Sequence, residues 1–322
     1  KENRSMRGVD GNTIASMAMW IEIDDLIDNE RSSLNEVEKN IADKIFAQAD
    51  VILCTNAMVG SELFKEKIFD VVVIDESSQQ MIPSTLIPFV RAPKIIMAGD
   101  HKQLQPTVLS NSSALKETLF EKLIALYPKQ TLMLTTQYRM NEAIMAFSNR
   151  NFYKGELVAH TSVAHKTLPN EKAISFYDAS FENAEETRNN ESGSYKNEYE
   201  INLVEKLVKK YLSMGIDAKE IGVITPYSAQ VKALTKLNLG VDVKTVDGFQ
   251  GGEREVIIIS LVRNNANSEI GFVSDERRLN VALTRAKKKL VVIGSQSTFG
   301  SCIIYEKLFA YLAKNDFIEG MS

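Results

Sequence analysis

Cysteine is nearly absent from this 322-residue sequence: Cys54 and Cys302 are the only two, far apart and without partners at metal-ligand spacing. That excludes a disulfide framework, argues against a zinc site, and points to a reducing, cytoplasmic compartment. Proline (7) and glycine (16) are too scarce for a long low-complexity stretch, so a packed chain is expected throughout. No apolar run approaches the ~20 residues that span a bilayer, and "KENRSMRGVDGNT" lacks the apolar segment of a secretory signal. A protein neither membrane-bound nor exported is the expectation. Excess positive charge is also missing: the net charge of −4 excludes a globally basic nucleic-acid coat but leaves room for a local basic groove.

What is present is a globular balance, 44% hydrophobic and 25% charged, in a chain long enough for two lobes. Leu34, Val37, Ile41 and Ile45 have helical spacing, and Ser33 with Glu36 forms a capping box, so residues 1 to about 48 read as charged helices. The period then changes. "DVILCTN", "FDVVVIDES" and "KIIMAGD" are short, almost wholly apolar runs ending in polar or small residues, the pattern of parallel strands covered by helices on both faces. This lobe is expected to end near Leu134. A second series follows: "AISFYD", an amphipathic helix through Ile201, Val204, Val208 and Leu212 stopped by Gly215, then "IGVITPY", "VDVKTVD", "EVIIISLVR" and "KLVVIGS". "FENAEETRNNESGSYKNE" reads as a surface loop.

Ligands of open parallel sheets bind beyond the carboxyl ends of the strands. "VVVIDESSQQ" ends there in Asp75 and Glu76. One carboxylate can hold Mg²⁺ and the next can orient or deprotonate an attacking water, although a strand can also merely end in a polar turn. "KIIMAGDHKQLQP" brings Gly99, Asp100, His101, Lys102 and Gln103 to the same edge, and the Gln103 amide can bond both a phosphate oxygen and a water. "TTQYRM" supplies Gln137, Tyr138 and Arg139, an aromatic face for a base and a guanidinium for phosphate. "RRLNVALTRAKKKL" reads as a helix with Arg278 and Arg285 on one face, each of which could equally serve a structural salt bridge. Lysines 287 to 289 fit the solvated last turn of that helix.

In order along the chain, "VVVIDESSQ", "GDHKQLQP", "QYRMNEAIMAFSNRNFYKGELVAH", "ITPYSAQV", "VDGFQGGEREVIIISLVRNN" and "GFVSDERRLNVALTRAKKKLVVIG" resemble the motifs of Upf-like superfamily 1 helicases, most closely the immunoglobulin mu-binding type. The resemblance covers about residues 50 to 300. It implies an α/β fold: two RecA-like parallel-sheet domains, the first incomplete (49–134) and the second complete (135–322), preceded by a helical insertion segment (1–48). It further implies ATP in the cleft and single-stranded DNA or RNA across the top of a monomer. Asp75 would bind Mg²⁺, Glu76 would activate water, and Gln103, Arg139 and Arg285 would address the γ-phosphate. Gln137 and Tyr138 would bind the nucleotide, with Tyr138 stacking on the base, and Glu253, after the Gly251 turn, would contact the ribose or phosphate side. Thr55, Thr225 and Thr245 would grip nucleic-acid phosphates without reading sequence.

Two departures qualify this. Gly252 stands in "FQGGE" where the family has "FQGRE", and GxxxxGK[ST], the loop that cradles nucleotide phosphates, occurs nowhere in the 322 residues. The chain therefore resembles the C-terminal portion of a longer helicase, and by itself is expected to hydrolyse ATP poorly. The expected whole is a nucleic-acid-dependent ATPase translocating 5′ to 3′. Its rival is a non-hydrolysing binding or regulatory module with the same fold. A metal-dependent nuclease is weaker, for want of a second carboxylate cluster.

Overall fold

The computed structural model describes residues 11–108, 115–181, 184–190 and 192–320. In chain order the elements are α1 (Gly11–Gln48), α2 (Asn56–Val59), β1 (Val71–Ile74), α3 (Ile82–Phe89), β2 (Lys94–Met97), α4 (Leu119–Leu126), β3 (Thr136–Gln137), α5 (Glu142–Phe152), β4 (Val158–Ala159), α6 (Thr161–Ala164) and β5 (Ile174–Asp178). There follow β6 (Thr187–Arg188), β7 (Tyr195–Lys196), α7 (Glu198–Ser213), β8 (Ile221–Ile224), α8 (Ser228–Thr235), β9 (Asp242–Lys244), β10 (Arg254–Ser260), α9 (Glu276–Leu283), β11 (Ala286–Gly294), α10 (Gln296–Phe299) and α11 (Ile303–Lys314). They cluster into two compact units, one built from residues up to 74 with 82–96, the other from 75–81 with 97 onward.

In the first unit, α1 runs unbroken through Ser33, so the capping box expected there is helix interior; the helical expectation for residues 1–10 lies outside the described residues. The reason is local: from residue 12 to 48 there is no glycine or proline to stop a helix. Nearby, Ser32 Oγ donates back to Asp28 O at 2.8 Å and satisfies itself without a cap. Residues 51–55, expected as a strand, have no ladder partner among the described residues and lead into α2, capped by Thr55. β1 pairs with β2 in a two-stranded sheet. Coverage of both faces, expected from the apolar runs, is not found: Val73 is 64% exposed, and Val71 and Ile96 are exposed too.

In the second unit, five parallel strands run in the order β5-β11-β10-β8-β9. Alternation along β10 explains the layers. Val256 and Ile258 face a core with Ile201, Val204, Val208 and Tyr211 of α7 and Leu234 of α8, while Ile257 and Ile259 face another with Ile144 of α5, Leu279 of α9 and Leu308 of α11. α7 ends as anticipated, before Gly215 at φ +84°, a left-handed conformation that glycine adopts without penalty. The described residues among 181–198 have more regular structure than a loop. They carry the antiparallel pair β6–β7, and Glu186 forms an ion pair with Arg263 whose side chain is only 5% exposed.

The stretch 277–290 corrects the expected long helix. α9 stops at Leu283, where Thr284 Oγ1 turns back to Asn280 O (2.8 Å), and residues 286–294 pair with β10 instead. Pairing across the sheet overrides local helix propensity. Lysines 287 to 289 are consequently strand residues bonded to Glu253, Glu255 and Glu171, not a solvated helix end.

Candidate nucleotide and nucleic-acid site

The polar end of β1 is built by backbone and hydroxyls. Ser77 donates from both N (2.9 Å) and Oγ (2.6 Å) to Ala98 O, and Asp100 N donates to Ser78 Oγ at 3.0 Å. A Cβ on Gly99 would lie 2.9 Å from Ser78 N, so glycine is required for the two strand ends to approach. Between them Glu76 adopts φ 49°, ψ 34°, a left-handed conformation uncommon outside glycine. Asp75 Oδ1 accepts from Glu76 N at 2.9 Å, and Glu76 Oε2 accepts from Gln79 Nε2 at 2.5 Å. Both acids remain exposed. A non-glycine residue strained at a strand end among charged neighbours is a pattern of functional sites.

Beside these acids the loop 100–103 meets the end of α5 and α9. Asp100 Oδ2 accepts from Gln103 Nε2 (2.8 Å) and from Tyr153 Oη (2.6 Å), and Gln103 Oε1 accepts from Arg285 Nη2 at 3.2 Å. Asn280 Nδ2 donates to Tyr153 Oη (2.9 Å) and to Lys102 O (3.0 Å). Asn280 is fully buried, yet among the described residues its Oδ1 has no hydrogen-bond partner, an arrangement that costs about 1–3 kcal/mol.

Arg285 lies just past α9 and is 3% exposed. Its other donors go to neutral acceptors, Val281 O (3.0 Å), Thr284 Oγ1 (3.2 Å) and Gly252 O (3.5 Å). Among the described residues no carboxylate comes within ion-pair distance of it. Burial, and then the nearby Arg139 charge, pull its acidity constant down to about 10, which leaves it a cation at neutral pH. Arg139 is held differently: Nε donates to Glu253 Oε2 at 2.5 Å and Nη1 to Thr284 O at 3.3 Å, and Lys287 Nζ stands 3.2 Å from Glu253 Oε1. Burial works to raise Glu253, but the Arg139 charge and the bonds from Lys287 and Arg139 outweigh it and hold the carboxyl below its usual value. Two guanidiniums, one buried with no ion-pair partner among the described residues, make a site poised for an anion.

The remaining expected residues divide. Gln137 is used structurally: its Oε1 accepts from Arg139 N and Met140 N and its Nε2 donates to Met140 O, each at 2.8 Å, which fixes the turn that presents Arg139. Tyr138 is 65% exposed, with its ring 4.5 Å from that of His160. Gly251 takes φ +76° before Glu253. At Gly252 a Cβ would meet Phe249 O at 3.0 Å and its ring at 3.2 Å, so the side chain the family carries there would be crowded. Arg278 is engaged by Asp275 (3.0 Å) and Asp247 (3.3 Å), and it shares no helix face with Arg285. Thr245 Oγ1 accepts from Gly248 N (3.2 Å). In the first unit, Thr55 Oγ1 accepts from Met58 N (3.3 Å) and is exposed. Thr225 is wholly buried with its Oγ1 unpartnered, so it reaches a phosphate only if the chain around it moves.

Sequence reasoning missed Tyr153 and Asn280. The only available signal was their position inside the long motif-like stretches "SNRNFYKGELVAH" and "RRLNVALTRA". Two family profiles, each described as an AAA domain, match residues 115–297 and 3–111. A Methanocaldococcus jannaschii protein called an "uncharacterized ATP-dependent helicase" is 45% identical, over 97% of this chain and 49% of its own length. The DNA-binding protein SMUBP-2 of Mesocricetus auratus is 35% identical over 88% of this chain and 31% of its own. The ATP-dependent helicase NAM7 of Saccharomyces cerevisiae is 33% identical over 98% and 34%. The chain thus spans half or less of the length of these relatives.

Proposed function

Because the chain belongs to the Upf-like branch of the superfamily 1 helicases, we propose that it forms most of an ATP-driven motor core that moves 5′ to 3′ along single-stranded DNA or RNA. The observation that carries this reading is Arg285: a buried guanidinium with no carboxylate at ion-pair distance among the described residues, beside Arg139 and bonded to Gln103. A buried cation is costly unless paired, and a terminal phosphate carries the charge and oxygens to pair both arginines. An arginine so placed can be worth roughly 10³ to 10⁵ in rate. A non-hydrolysing module has no chemical need for Asp75, Glu76, Gln103, Arg139 and Arg285 together.

In this reading Glu76, exposed and turned out of the strand, accepts the proton of the attacking water. Gln103 bonds that water and the γ-phosphate, and Arg139 and Arg285 neutralise the charge that develops. Tyr138 stacks on the base, Glu253 after the Gly251 turn holds Arg139 toward the nucleotide, and Gln137 shapes the turn beneath them. Among the described residues no three metal-binding side chains gather, so a Mg²⁺ ion would take Asp75 with phosphate and water oxygens, a coordination that Mg²⁺ accepts. When bound, it would screen phosphate charge. Thr55, Thr245 and, after rearrangement, Thr225 contact the nucleic-acid backbone. The working unit is a cytoplasmic monomer with RecA-like domains at 49–134 and 135–322. These 322 residues alone turn ATP over poorly, since they hold no GxxxxGK[ST] cradle.

The test is Arg285→Gln in the full-length protein. ATP turnover is expected to fall by roughly 10³ or more, while single-stranded nucleic-acid binding, followed by fluorescence anisotropy, persists. Turnover at the wild-type rate would overturn the assignment.

A further inference from the structure

Tyr153, at the end of α5, is the least expected member of the polar cluster. Its phenol stands in a chain of hydrogen bonds whose direction is fixed at both ends. Arg285 can only donate, and it donates to Gln103 Oε1 (3.2 Å). The Asp100 carboxylate accepts, and it receives Gln103 Nε2 (2.8 Å) and Tyr153 Oη (2.6 Å) on the same oxygen. The Gln103 amide is therefore held one way round, with its oxygen toward the guanidinium and its nitrogen toward the acid. Behind the phenol stands Asn280, donating to Tyr153 Oη (2.9 Å) and to Lys102 O (3.0 Å), so the same amide group braces both the phenol and the backbone of the loop. Burial first, and then the Asp100 charge, hold the phenol proton far above its usual range, so Tyr153 remains a donor throughout the working pH range.

We propose that Tyr153 is a positioning residue: by donating to Asp100 it sets the orientation of Gln103, and through Gln103 that of Arg285, for a terminal phosphate. The proposal rests on the motor reading and adds to it a contact that ties the loop 100–103 to the end of α5. Without the phenol oxygen Asp100 Oδ2 keeps Gln103 as its single donor, the carboxylate loses the bond that fixes where it stands, and the amide bonded to it shifts relative to Arg285. The partnerless Oδ1 of buried Asn280 fits the same picture, because a carbonyl lacking a donor marks an arrangement that improves when the cluster shifts. A triphosphate drawing Gln103 and Arg285 apart would produce such a shift.

The experiment uses the full-length protein and the variants Tyr153→Phe, Asp100→Asn and both together. Three quantities are read: nucleic-acid-stimulated kcat and KM for ATP, the affinities for fluorescent ADP and a non-hydrolysable ATP analogue, and the melting temperature. Each single variant is expected to lose about tenfold in kcat with KM and ADP affinity nearly unchanged. The preference for the ATP analogue over ADP should shrink, and the double variant should be no worse than the worse single one, as for two ends of one contact. A Tyr153→Phe protein within twofold of wild type in kcat and in nucleotide preference overturns the proposal, as do losses that multiply. A fall in melting temperature that weakens ATP and ADP alike reduces Tyr153 to a packing residue and overturns it too. Wild-type protein without any turnover defeats the motor reading itself, and is told apart by the unmutated control.

Discussion

The β1–β2 sheet and the five-stranded sheet are written in nearly the same residues and end up in opposite environments. β1 reads "VVVI" and β10 reads "REVIIIS", yet Val73 is 64% exposed while Val256, Ile257 and Ile258 are wholly buried. The difference lies in neighbours. β10 has a parallel strand on each side and helices over each face, whereas among the described residues β1 pairs only with β2. Branched apolar runs specify a strand able to be buried; whether it is buried depends on what packs against it. The contrast also separates roles, because the polar end of the exposed strand carries Asp75 and Glu76, while residues just before the buried strands β10 and β11, Glu253 and Thr284, bond Arg139 and Arg285.

Core truncation breaks this contrast most forcefully. Ile258→Ala should cost about 2–5 kcal/mol in urea unfolding, whereas Val73→Ala should stay within about 0.5 kcal/mol, as exposed positions do. Comparable losses at the two sites would mean that β1 is as enclosed as β10.

A buried acid sharpens the comparison next. Glu200, in the first turn of α7, is wholly buried and accepts from Ser260 Oγ (2.6 Å) and Val262 N (3.0 Å). Val262 itself has φ +73°, costly for a branched residue, inside a tight turn closed by Arg263 N to Leu261 O at 2.8 Å. Burial pushes the Glu200 carboxyl up from its ordinary 4.5 to about 8. The folded state therefore binds more protons than the unfolded state between those values, and stability should fall as pH rises through that window. Glu200→Gln should flatten that slope, worth on the order of a few kcal/mol across it. An unchanged slope in melts recorded from pH 5 to 8 would remove Glu200 as its source.

The smallest effect is expected at the departure from the family. Gly252→Arg should lower stability by roughly 1–3 kcal/mol, as crowding against Phe249 does, and a stabilised variant would show that the ring gives way. Replacement by alanine should cost less.

Much of the second unit was legible in its sequence because periodicity and stop signals agreed: α7 ends where Gly215 says, and the parallel strands fall within their apolar runs. What was not legible depended on long-range pairing. The stretch 284–289 has helix-favouring lysines, yet it becomes a strand because β10 is there to pair with it. The site was readable as residue types but not as contacts. Asp75, Glu76, Gln103 and Arg139 announce themselves by charge at strand ends and turns, whereas Tyr153 and Asn280 act through hydrogen bonds to residues 53 and 178 positions away in sequence. Gln137 shows the converse, an amide expected at the ligand that is consumed in shaping a turn.

In the proposed motor, β1 ends in charge because Glu76 activates water. The most direct measurement is ATP hydrolysis by the full-length protein, with and without single-stranded nucleic acid, for wild type and Glu76→Gln. Nucleic acid should stimulate the wild type, and Glu76→Gln should bind ATP without turning it over. A Glu76→Gln protein that hydrolyses ATP at the wild-type rate would contradict the account.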